Sequence, residues 1–161
     1  MGRKDTTAEL SELVRKRLAN STPYWAEQVD VEPTRYGSCG IVDFMAFYPA
    51  WSQLQGVPSR VAVEQGRFDF YEVKSCMDDF NSGHGLNFHG DRNYLVCERE
   101  LADELHSRMM IPGTCSVLCP DKARGRLVAA YDTGWERGQR RCTSGELLFC
   151  LLMAIKNGRG A

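Results

Sequence analysis

The chain has 161 residues, 43% of them apolar and 25% charged, enough to bury a single core without disulfide staples. A formal net charge of −1 argues against a tight nucleic-acid binder driven by bulk positive charge. The seven cysteines, at 39, 76, 97, 115, 119, 142 and 150, are odd in number and several lie inside apolar runs; this argues against a disulfide framework and predicts reduced, buried thiols.

Thr6-Thr7-Ala8-Glu9 has the capping-box pattern, and Leu10, Leu13, Val14 and Leu18 follow on one side, so the spacing predicts an amphipathic helix over 6–19. A weak strand signal covers 25–32. Cys39 to Tyr48 is rich in β-branched and aromatic residues and ends at Pro49, which predicts a strand. After a Pro- and Gly-bearing loop at 49–60, Val61 to Cys76 reads as one long strand bent at Gly66, or two strands meeting there. A polar, glycine-bearing segment from Asp78 to Asp91 leads into a short buried strand, Asn93 to Cys97. Leu101, Leu105 and Met109 recur every four residues and predict a helix over 99–110. Cys115 to Cys119 and Leu127 to Tyr131 follow as strands. Thr143-Ser144-Gly145-Glu146 opens a last helix, apolar nearly all round and so expected to be buried.

The order predicts one mixed α/β domain over 1–161, a central sheet flanked by helices. Met1 to Asp5 leads into a polar helix and not an apolar signal core, and the longest apolar run, Leu147 to Ile155, is too short to span a bilayer. These features predict a cytoplasmic protein with no membrane partner.

Three positions break the apolar pattern. Alternation puts Glu72 and Lys74 on the strand face that carries Phe68 and Phe70, and Asp43 on the face that carries Ile41, Met45 and Phe47. Charges on core faces are costly unless they are paired or hold a metal. If these strands pair, Asp43 and Glu72 can share one hard cation through oxygen, with the Lys74 ammonium beside it. On the first helix Glu9 lies beside Leu13, on the flank of the apolar stripe, and reaches inward better than Glu12 does.

A helical Glu, a strand Asp and then Glu-x-Lys on the next strand resemble the PD-(D/E)XK nuclease superfamily. Gly40-Ile41-Val42-Asp43 resembles its first motif, with Val42 in the place of proline, and Phe70-Tyr71-Glu72-Val73-Lys74 its second. The resemblance covers roughly residues 6–97. It implies a restriction-endonuclease-like αβββαβ core with a C-terminal β-β-helix extension. It implies Mg²⁺ (with Mn²⁺ as a substitute) held by Asp43, Glu72 and the Val73 carbonyl, Lys74 as a catalytic residue, and Glu9 as an auxiliary, water-mediated ligand. The implied reaction is hydrolysis of phosphodiester bonds in nucleic acid, with DNA the preferred partner and a homodimer left open. The alternative is a non-catalytic nuclease-fold protein that binds nucleic acid or a protein partner.

Other signals are weighed beside these. His84 and Asn87, in the glycine-rich stretch 81–90, are candidates to contact a phosphate or the attacking water; a plain exposed turn competes with that reading. Cys115 and Cys119 alternate as in a buried strand, which is preferred to a zinc pair with Cys97 or Cys142. Lys122, Arg124, Arg126, Arg137, Arg140 and Arg141 make the C-terminal third basic, as either a solvated surface or a phosphate track.

Overall fold

The apolar stripe of the first helix and the alternating strands sort onto opposite sides of one sheet. A computed structural model describes residues 2–31, 40–50, 59–132 and 138–160. These form, in order, α1 (Arg3–Ala19), β1 (Trp25–Asp30), β2 (Ile41–Tyr48), α2 (Ser59–Glu64), β3 (Arg67–Val73) and α3 (Met77–Asn81). Then come β4 (Arg92–Val96), α4 (Arg99–Ser107), β5 (Cys115–Asp121), β6 (Arg126–Asp132) and α5 (Ser144–Lys156). The six strands lie in the order β1-β2-β3-β4-β5-β6. β3, β4 and β5 are parallel neighbours, and the other three pairings are antiparallel. The fold is mixed α/β, a six-stranded sheet flanked by helices.

Leu10, Val14 and Leu18 of α1 are wholly buried against Phe44, Tyr71, Val73 and Val96 on one face. Removing each such side chain from water is worth roughly 1.5–3 kcal/mol. On the other face, α5 packs Leu147, Leu151 and Ala154 against Val42, Met45, Phe68 and Phe70. α4 packs Leu101 and Leu105 against Leu95, Cys115 and Val117. Cys97, Cys115 and Cys119 are buried, as expected, and Cys76, Cys97 and Cys119 are free thiols. Cys39 lies outside the described residues.

Several expectations are corrected. α1 starts at Arg3, with the Asp5 carboxylate accepting the Gly2 amide at 3.1 Å, so Thr6 is inside the helix and not its cap. Residues 59–64 form α2 instead of the start of a strand: Val61 and Val63 are half-buried and Ala62 alone turns fully inward. Gly66 then lets the chain turn sharply into β3, since a Cβ there would lie 2.4 Å from the Phe47 ring and 2.8 Å from the Ala62 carbonyl oxygen.

α5 is capped as its sequence indicates, the Thr143 hydroxyl accepting the Glu146 amide at 3.2 Å. It is not buried all round, however: Phe149 is 65% and Leu152 61% exposed, because the helix lies along one face of the sheet with nothing described beyond it. Among the described residues, no helix is long and apolar enough to cross a membrane.

Candidate active site

β2 and β3 pair antiparallel with Met45 across from Phe70 and Phe44 across from Tyr71, so the same register sets Asp43 across from Glu72. Both side chains belong to the face that carries Met45 and Phe70. Past Phe44 the Asp43 carboxylate enters the ladder itself, its Oδ2 accepting the Val73 amide at 2.8 Å. Its Oδ1 accepts the Gln28 side-chain amide at 3.2 Å, from the strand on the other side. Gln28 has φ +51, a left-handed conformation that costs a non-glycine residue about 1 kcal/mol or more. Its carbonyl is held by the Arg159 guanidinium at 2.9 Å. Strain at a residue that orients a carboxylate is the kind found at functional sites.

Glu72 is wholly buried. Its Oε1 accepts the Asn87 amide at 3.2 Å, while its Oε2 has no hydrogen-bond partner. Burial, then the charge of Asp43 within hydrogen-bonding reach, pushes the Glu72 carboxyl up to about 9; the Asn87 amide and Lys74 oppose this only in part. Burial and the neighbouring Asp43 thus favour the protonated form of Glu72 at neutral pH.

Lys74 follows the end of β3 and is 4% exposed. Its ammonium donates to the His84 carbonyl and lies 3.9 Å from an Asp79 oxygen. The other Asp79 oxygen accepts the Ser75 amide at 3.1 Å. Gly85, at φ +68, passes directly over the pair: a Cβ there would lie 3.0 Å from Glu72 Oε2 and 3.6 Å from Lys74 Nζ. Asp43 and Lys74 line a cleft of about 750 Å³, walled also by Gln28, Lys4, Arg15 and His84. Glu72, wholly buried, is not among the lining residues; its neighbours Val73, Lys74 and Gly85 are.

Asp43, Glu72, Val73 and Lys74 are thus brought together. Glu9 is not. It is exposed, while Thr7 and Ser11 of α1 line the cleft; two residues from each, Glu9 points about 160° away from them around the helix. The flank beside Leu13 is the one away from the cleft. His84 has an exposed side chain at the cleft and gives its carbonyl to Lys74. Asn87 is not among the lining residues: its side chain donates to the Ile41 carbonyl at 2.9 Å, so it ties the loop to β2. Of the basic C-terminal residues, Arg140 is spent on Asp91 at 3.1 Å and Lys122 pairs with Glu98 at 3.4 Å; Arg137 lies outside the described residues. Gln28, Asp79 and Gly85 carry no motif, and only Gly85 had a sequence signal, the glycine-rich loop.

A hard divalent cation fits this donor set. The ligand atoms are carboxylate oxygens, one of them buried and without a partner. Among the described residues no cluster holds three or more His, Cys, Asp or Glu side chains suited to a metal.

No protein-family model matches the chain, and no curated protein does. One solved structure, a protein of unknown function from Silicibacter pomeroyi, is similar at 14% identity and a TM-score of 0.49, over 98% of this chain and 86% of that one. A likeness that distant carries no argument about function.

Proposed function

We propose that this chain is a metal-dependent nuclease of the PD-(D/E)XK type, hydrolysing phosphodiester bonds in DNA. The observation that carries the reading is the buried Glu72 carboxyl with an unpartnered oxygen, across a strand pair from Asp43 and beside a buried lysine. The chain order is compatible with it: α1, β1 and β2, then α2, β3, α3 and β4 parallel to β3 resemble an αβββαβ scheme with one helix inserted between the second and third strands.

In this mechanism Asp43, Glu72 and the Val73 carbonyl would hold Mg²⁺, or Mn²⁺ in its place. When bound, the cation supplies charge neutralisation at the phosphate and a water of lowered pKa. The protein's own part begins with Glu72, which releases its proton as the site loads, so loading is coupled to pH. Gln28 and the Val73 amide hold the two Asp43 oxygens in a fixed direction. Lys74 orients the attacking water or meets the charge that develops on the phosphate. Lys4, on the cleft wall, offers positive charge to a flanking phosphate, while Arg15 is engaged by Glu27 at 2.6 Å.

The second reading, a non-catalytic nuclease-fold binder, is favoured by one observation: Gly85 and the His84 carbonyl already occupy the space above Glu72 and Lys74. Incubating the protein with single-stranded, duplex and branched DNA plus Mn²⁺ separates the two. The enzyme cleaves at least one substrate, and Lys74→Ala lowers the rate by at least about 10²–10³. DNA binding without cleavage would transfer the assignment to the binder.

A further inference from the structure

The opposite flank of α1 carries a second cavity, of about 480 Å³, which shares no lining residue with the cleft. It opens at the start of β3 and β4. Five cationic side chains line it, Lys16, Arg17, Arg67, Arg92 and Arg126, against a single carboxylate, Asp69. Asp69 is already neutralised: Arg67 grips it through two nitrogens, at 2.7 and 3.3 Å. In a chain of net charge −1, a local excess of four positive charges in one concavity is not a sample of the average surface.

The guanidinium groups are held in place. Arg67 lies over the Tyr48 ring, 4.4 Å from its centroid, and Arg17 over Tyr94 at 5.8 Å. Arg17 also bonds the buried Tyr71 hydroxyl, and Arg92 bonds Tyr94. Tyr71 and Tyr94 stack with ring centroids 4.7 Å apart, making a rigid floor. Tyrosine neighbours fix the Arg17 and Arg92 guanidinium planes without neutralising them, while Arg67 is the one arginine paired with the Asp69 carboxylate. Lys16, held to the Gly125 carbonyl at 2.9 Å, likewise keeps its charge. Preorganised, unneutralised arginines in a concavity match the geometry of phosphate oxygens.

We propose that this cavity is a phosphate-binding site, taking the phosphate of a free nucleotide or of a nucleic-acid strand. It stands independently of the nuclease reading, because none of its residues belongs to the Asp43–Glu72 cleft.

The test is calorimetric titration of the full chain in EDTA, where no metal-dependent step intervenes, with three probes: inorganic pyrophosphate, deoxyadenosine monophosphate and a short single-stranded oligonucleotide. Saturable binding of at least one probe is expected, and Arg92→Gln with Arg126→Gln, both exposed and replaceable without exposing core, should weaken it about tenfold or more. Equal affinity of the double variant and the wild type, or no saturable binding of any probe, overturns the site. An oligonucleotide bound much more tightly than the mononucleotide, with an affinity falling steeply with salt, identifies a strand as the source. Comparable affinities identify a free nucleotide. A wild type that binds phosphate yet never cleaves DNA keeps this site and removes only the nuclease reading.

Discussion

Glu72 couples the site to pH. In the unfolded chain its carboxyl titrates near the usual 4.5, while in the metal-free fold it titrates near 9. Between these values the folded protein holds a proton that the unfolded one has lost, so stability falls as pH rises through this window and is level outside it. Glu72→Gln keeps the shape and removes the titration. In EDTA, the melting temperatures of wild type and Glu72→Gln should lie close together at about pH 5 and separate steadily toward about pH 9, with the variant the more stable. Parallel curves over that range would mean that Glu72 is ionised in the fold. Gln28 gives a second residue-scale prediction. Gln28→Gly removes the penalty of φ +51 together with the bond to Asp43, so the melting temperature should hold or rise while Mn²⁺ binds several-fold more weakly. A loss of stability with unchanged metal affinity would make Gln28 purely structural.

Elements set the site through two local devices: the entry of Asp43 into the β2–β3 ladder and the turn at Gly66 that launches β3. A methyl group at Gly66 meets the Phe47 ring and the Ala62 backbone, so Gly66→Ala should cost about 1–3 kcal/mol in urea unfolding. A neutral result would show that the turn relaxes freely. The Asp43/Glu72/Lys74 grouping was legible because period-two alternation exposes a charge on an apolar face, whereas α4 and α5 were legible from a four-residue apolar repeat and a capping box. Residues 59–64 misled because valine favours strands by its branched side chain, whereas tertiary placement made them a helix turn. Glu9 misled because a helical wheel shows which residues flank the stripe but not which flank faces the cleft. Gln28 left no trace, since its role comes from a backbone conformation and a cross-strand partner. α5 looked buried from its composition, and only the packing shows Phe149 and Leu152 outside.

At the scale of the whole molecule, α1 divides the chemistry. One flank borders the Asp43–Lys74 cleft, whose charges are mixed, past the carboxyl end of β3, a place where parallel strands commonly present ligands. The other borders the basic cavity at the opposite end of the same strands. A net charge of −1 conceals the basic cavity, because its excess of positive charge is offset by carboxylates elsewhere on the chain.

The central claim is that Asp43 and Glu72 hold one cation while Lys74 serves it without binding it. Titrating Mn²⁺ into wild type, Asp43→Ala, Glu72→Ala and Lys74→Ala by calorimetry at pH 8 tests this most directly. One saturable site is expected in the wild type with proton release on binding, no such site in either carboxylate variant, and an affinity within a few-fold of wild type in Lys74→Ala, since an ammonium cannot ligate a metal. A wild type that binds no Mn²⁺, or an Asp43→Ala protein that binds it as the wild type does, would contradict the account.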